Sequence, residues 1–367
     1  MPVRWVRASL ATAISAALLV VAMPTGAVQA APTDSWQSLS PMGQARYGEV
    51  AGTLSGGDII AAGGVAWPAG GNPQTLGSAE IYDPDSNQWS PTTNMPDPTA
   101  SAGSAVGTDG LFYVFGGYGP DATTLTPSAT LQIYNPSNQS WTVGPPMPVA
   151  RGYVAGAALP DGLVMAIGGV DADANTSSAV EAFDPATSTW SALAPLPNPC
   201  QSVGAATGPN GDVYVVGGSC AGDGWSSQLL IYNPSTNSWA SGPSLPISEA
   251  SAAVSFGSDG ILYAVGGYES VELSTGFAYD PTLATWSSIP SLPFAEYQQA
   301  LVPDGSGIVV LGGCGGTAMT ANCPSDQALL FQFSAAGSYA PAFISAPDEM
   351  TSTGSPFTYT VTAANLH

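Results

Sequence analysis

Four charged residues stand where a ligand could be gripped or a bond worked on: Arg46, Arg151, Glu249 and Glu296. Each lies ten residues beyond a tryptophan (Trp36, Trp141, Trp239 and Trp286), and Thr99 and Cys200 hold the same place after Trp89 and Trp190. The next two positions add Tyr47, Ser101, Tyr153, Gln201, Ser202, Tyr297 and Gln298. Guanidinium groups bind carboxylates and hydroxyls in bidentate fashion, carboxylates accept, and phenols stack and bond. The ligand-binding set is therefore Arg46, Tyr47, Thr99, Arg151, Tyr153, Gln201, Glu249, Glu296, Tyr297 and Gln298. In a catalytic version, Glu249 and Glu296 with Arg46 and Arg151 would carry the reaction. A second reading is structural: an arginine recurring at one place is what a brace to neighbouring carbonyls would produce, with Glu296–Arg46 as an ion pair.

Other chemistries are bounded by what the chain lacks. His367 is the one histidine, so no Ser-His-Asp arrangement can form. Cofactors are not expected. Asp171, Asp173 and Asn175 match the first three ligands of a calcium loop, but Thr176 stands where such a loop needs Gly and Ala182 where it needs Glu; the competing reading is an Asx turn. Of the four cysteines, Cys200 and Cys220 fall opposite one another when counted outward from the turn at Asn210-Gly211, and Cys314 and Cys323 share one loop. These spacings predict the disulfides 200–220 and 314–323.

The elements that must position these residues are written in a repeat. The six tryptophans are spaced 53, 52, 49, 49 and 47 residues apart, with a glycine pair in each interval and a sixth pair at Gly312-Gly313. Five aromatic-Asp/Asn-Pro triplets, such as Tyr82-Asp83-Pro84 and Phe183-Asp184-Pro185, precede a tryptophan by five residues. Each unit holds four short stretches of strand character, joined by Asp/Asn-Gly turns and by the Pro-containing triplet. A period near fifty with these marks means an array of small sheets.

Gly-Gly after the second strand, Tyr-Asp-Pro after the third, Trp in the fourth and then Met/Leu-Pro closely resemble the kelch repeat, over residues from about 34 to 335. The resemblance implies an all-β fold, a six-bladed β-propeller like the central one of galactose oxidase but without its copper site, which needs histidine ligands. Trp36 has no first three strands before it, and the last unit lacks a fourth, so the two should complete one blade. In such a ring the segment ten to twelve residues past each tryptophan would surround the central opening, on the face bearing the longer loops. Those loops run 11 to 17 residues from Gly-Gly to the triplet and contribute Trp67, Tyr118, Trp225 and Tyr268. Other kelch propellers are sugar-acid epimerases or mutarotases that use Arg with Glu, which keeps a cofactor-free enzyme as the alternative.

The expected organisation is a signal peptide at 1–30, the propeller at 31–338, and an extension at 339–367 resembling the start of an immunoglobulin-like domain. Arg4 and Arg7, an apolar run from about Ala8 to Met23, and Val28-Gln29-Ala30 carry the first assignment. There is no lysine, and only Arg46 and Arg151 lie beyond the signal, against 26 acidic residues. Such a chain repels nucleic acid and anionic membranes. The expectation is thus a secreted monomer, not inserted in a membrane after cleavage, binding a carbohydrate or a protein.

Overall fold

The computed structural model describes residues 35–333 apart from 69, 70, 122, 223 and 316–322. The expected signal peptide and C-terminal extension lie outside the described residues. Among the described residues there is no helix, and six four-stranded antiparallel sheets account for most of the chain. The first sheet runs Val50–Thr53, Ile59–Ala62, Ala79–Asp83 and Gln88–Thr92. Four more follow in the same meander order, starting at Gly103–Val106, Ala155–Ala158, Gly204–Thr207 and Ala253–Phe256. The sixth joins Ala300–Pro303, Gly307–Leu311 and Ala328–Gln332 to Trp36–Ser38, with Trp36 opposite Phe331.

Burial follows position in the blade. Every second strand of the first five blades is buried along its whole length, as in Phe112–Phe115 and Val213–Val216, because neighbouring blades cover both faces. Fourth strands are mostly exposed. The innermost strands pack side by side in chain order, and Ala300–Pro303 packs in turn against Val50–Thr53.

All six repeat tryptophans are half-buried and have a polar task as well as a packing one. Each ring sits 5.1–5.4 Å from the aromatic residue opposite it on the third strand, such as Tyr232 for Trp239 and Phe331 for Trp36. Each indole Nε1 donates to a carbonyl just past the preceding blade: Trp36 to Pro290, Trp89 to Ser40, Trp141 to Thr93, Trp190 to Pro145, Trp239 to Ala194 and Trp286 to Pro243. The tryptophan is thus a stacking partner and a stitch between blades.

The Asp/Asn-Gly turns join the first and second strands as expected, and their backbone is specific. Only the glycine is left-handed, at φ 78° for Gly110 and 82° for Gly211. Gly107 N–H bonds Leu111 C=O and Gly110 N–H bonds Gly107 C=O, which is a type I turn closed by a glycine bulge. The Asp109 carboxylate instead accepts from Leu111 N–H and from the Tyr113 hydroxyl. These turns gather on one face of the sheets; the loops after the glycine pairs gather on the other.

Candidate functional site

Gly63 and Gly64 show how a long loop and the segment leading into the next blade are brought together. Both glycines are left-handed, and a Cβ on Gly63 would come within 2.5 Å of the Thr99 carbonyl oxygen. Gly64 N–H donates to that carbonyl. The same bond recurs from Gly117 to Arg151, Gly169 to Cys200, Gly218 to Glu249, Gly267 to Glu296 and Gly313 to Arg46. The residue ten past each tryptophan is therefore held by its backbone against the preceding blade.

Its side chain turns into its own blade and not toward the opening, which corrects the placement expected for Arg46, Thr99, Arg151, Glu249 and Glu296. Arg46 is fully buried: Nη1 donates to the Gly63 and Ser78 carbonyls, and Nη2 meets Glu80 Oε1 at 2.7 Å. Glu80 also accepts from the Gly43 and Gln44 amides. Arg151, equally buried, bonds the Gly168 and Ala179 carbonyls and pairs with Glu181 at 2.6 Å. Thr99 donates to the Gly116 and Tyr118 carbonyls. The brace is the arrangement observed, with Glu80 in place of the expected Glu296 as partner.

The partners obey a rule within the repeat. At the second residue of the third strand, Glu80 and Glu181 face the two arginines, Gln132 stands in the blade of Thr99, and Leu230, Phe277 and Leu329 stand in the blades of Cys200, Glu249 and Glu296. A buried charge needs an opposite partner, so the two positions change together. Glu249 and Glu296, facing apolar neighbours, have no such partner; both oxygens of Glu249 and Oε1 of Glu296 lack a hydrogen bond. Burial pushes both carboxyls up to about 8, with the Ser325 hydroxyl pulling Glu296 partly back.

Two residues further along, the six lead-in segments bond one another. Ser101 N–H donates to Gly48 C=O, Tyr153 to Ser101, Ser202 to Tyr153, Ser251 to Ser202, Gln298 to Ser251, and Gly48 to Gln298, at 2.7–3.3 Å. All six residues are left-handed, with φ between 51° and 62°. This closed cycle surrounds an axial cavity of about 110 Å3, lined by two residues from each blade, among them Ser101, Ser202, Ser251 and Gln298. Glu49 and Gln299 also line it and occupy the same repeat position. Gln299 Nε2 donates to the Val265 carbonyl at 2.7 Å and lies against Gly266; the Glu49 carboxyl lies correspondingly against Gly312, and neither of its oxygens makes a well-formed hydrogen bond, although the Glu49 and Ala300 amides lie near. Burial pushes Glu49 up to about 8, with backbone amides and Arg46 opposing and Glu296 assisting.

Around the axis on the long-loop face stand six aromatic side chains, one from each blade: Tyr47, Tyr118, Tyr153, Trp225, Tyr268 and Tyr297. Tyr118 and Tyr153 meet edge to face at 5.1 Å, and Trp225, Tyr268 and Tyr297 form a chain at 5.9 and 5.5 Å. Burial raises the Tyr47 phenol, and the Tyr297 and Tyr153 phenols raise it further. None of the five hydroxyls bonds protein among the described residues, whereas six of the seven tyrosines elsewhere do: Tyr82, Tyr113, Tyr134, Tyr214, Tyr232 and Tyr263, with Tyr279 the exception. Gln201 and Gln298 are half-buried beside them. Trp67 is exposed, its indole bonded to the Gly71 carbonyl within its own loop.

Both disulfides form as expected, Cys200–Cys220 in cross-strand register and Cys314–Cys323 within the last long loop. Asp171 accepts from the Asp173 and Asn175 amides and from the Asn175 side chain, which is the Asx-turn reading of that loop. Among the described residues no three His, Cys, Asp or Glu side chains converge as metal ligands would.

A ring of kelch-like four-stranded sheets with a loop-built axial face defines a β-propeller. Two family profiles described as Kelch motif match, one at residues 47–96, 100–148, 154–197 and 251–293 and the other at 201–246. The chain belongs to the kelch-repeat family. Relatives include Kelch-like ECH-associated protein 1A of Danio rerio, 34% identical over 108 residues (29% of this chain and 18% of that protein), and Kelch-like protein 23 of Homo sapiens, 34% identical over 104 residues (28% and 18%). The chain thus spans less than a fifth of these relatives' length. The solved structure of YjhT superposes with a TM-score of 0.62 at 14% identity, covering 80% of this chain and 95% of that one, a likeness of fold. Kelch propellers are typically protein-interaction modules.

Proposed function

We propose that the protein is an exported binding module that takes a carbohydrate or protein ligand at the axial end of its long-loop face. One observation carries this: among the described residues, five tyrosine hydroxyls around the axis make no hydrogen bond to protein, while six of the seven tyrosines elsewhere do. Groups that could bond and do not are what a ligand site offers. The two disulfides suit an oxidising compartment, and no helix among the described residues is long and apolar enough to cross a membrane. The epimerase or mutarotase alternative needs Arg46, Arg151, Glu249 and Glu296 at a substrate, and all four are at most 1% exposed.

The test is a double substitution, Tyr153→Ala with Tyr297→Ala, compared with Asp109→Ala on the tight-turn face. Ligands found by glycan- and peptide-array screening should be lost by the first protein and kept by the second. The opposite pattern would refute the assignment of the face.

A further inference from the structure

The charge on the long-loop face narrows the ligand further, an inference that rests on the face assigned above. The chain has no lysine, and the two arginines among the described residues are fully buried and locked to Glu80 and Glu181. No described cationic side chain is therefore free to meet a carboxylate, sulfate or phosphate. The chain as a whole carries −22 charges, and Glu269 and Glu272 lie on the loop that carries Tyr268. An anionic ligand would be repelled at long range and unpaired on arrival.

A cation is attracted at long range but finds little to hold it at the centre. The axial cavity is lined by serine hydroxyls, glutamine side chains, Tyr153 and one carboxyl, Glu49, whose oxygens are turned away against Gly312. What the centre does offer is neutral and two-sided. Phenols, serine hydroxyls and the Gln201 and Gln298 amides each donate and accept. Such a set matches a ligand whose own groups do both. Trp225, 38% exposed, with Tyr268 and Tyr297 behind it, gives an apolar surface on which a sugar's C–H face can lie. Tyr153 belongs to the aromatic ring and to the cavity lining alike, and Gln298, next to Tyr297 in the chain, also lines the cavity, so the two are continuous.

We propose that the ligand is an uncharged carbohydrate, stacked on Trp225 and Tyr268 and hydrogen-bonded through its hydroxyls by Tyr47, Tyr153, Tyr297 and Gln298. Uronic and sialic acids, and sulfated or phosphorylated glycans, are rejected for want of a cation.

The experiment measures binding of the intact chain to three probe sets: neutral hexose and pentose oligosaccharides, their uronate or sialylated counterparts, and lysine-containing peptides. Each is measured at about 50 mM and about 500 mM salt, across which surface electrostatics are screened. The expected result is binding of a neutral oligosaccharide with a salt-independent Kd. Tyr153→Phe and Tyr297→Phe, which keep the rings, should each weaken it about five- to tenfold with an unchanged melting curve. Equal or tighter binding of the acidic sugars overturns the proposal, as does the absence of any neutral ligand at millimolar concentration. If lysine peptides alone bind, with steep salt dependence and sensitivity to Tyr297→Phe, the face stands and the sugar falls. If the sugar binds but neither tyrosine substitution matters, the face falls too.

Discussion

Gln299 donates an amide hydrogen to a carbonyl of the neighbouring blade, and Glu49, at the same repeat position, can do so only when it holds a proton. Burial favours that form, raising Glu49 from 4.5 to about 8. Between those values the folded chain keeps a proton that the unfolded chain has released. The stabilisation is therefore complete below the unfolded value and is lost as pH rises through about 8. Glu249 and Glu296 act with the same sign. The melting temperature should fall steadily from about pH 5 to about pH 8, and Glu49→Gln should flatten that fall and stabilise the protein at its upper end. A melting temperature that climbs across the window, or a variant indistinguishable from the parent, contradicts the neutral-acid reading.

At the scale of elements, the Cys200–Cys220 bond ties the segment leading into the fourth blade to that blade's long loop, closing 20 residues. Replacing both cysteines by serine should cost about 3 kcal/mol in the loop-entropy picture, read as a lower urea midpoint; an unchanged midpoint would show that the blade is held without it. This bond was legible in the sequence because the Asn210-Gly211 turn supplies a centre from which to count. So were the strand order and the glycine pairs, which follow from residues that only certain backbones accept. The direction of the side chain ten past each tryptophan was not legible. The residue two places later is left-handed, and Ser101, Tyr153 and Gln298 are not types that announce such a conformation. The pairing of Arg46 and Arg151 with Glu80 and Glu181 had a visible signal, since charge at one repeat position changes with charge at the other. The partners stand across the blade and not beside the arginines in the ring. The loop aromatics Tyr118, Trp225 and Tyr268 were legible as candidates, but the two phenols' lack of a bond to any described residue and the packing of the rings needed three dimensions.

For the whole molecule, the sixth sheet is the place where distant parts of the chain meet without covalent help. Trp36–Ser38 covers Ala328–Gln332, Trp36 bonds Pro290, and Ser40 receives the indole of Trp89. Deleting residues through 40 removes a strand and one stitch on each side, and exposes a strand edge. The shortened chain should self-associate in size-exclusion chromatography and melt at lower temperature, and a monomer of undiminished stability would mean that the strand is dispensable.

The cycle of backbone bonds from Gly48 round to Gln298 has a further electrical meaning. Every link runs in the same sense, amide to carbonyl, so the six peptide dipoles chase one another around the axis. Dipoles aligned along a helix add up to a partial charge at each end; arranged head to tail in a circle, their components in the plane of the circle cancel. The backbone at the centre of this propeller thus presents little field of its own, and whatever rests there must be recognised by side chains.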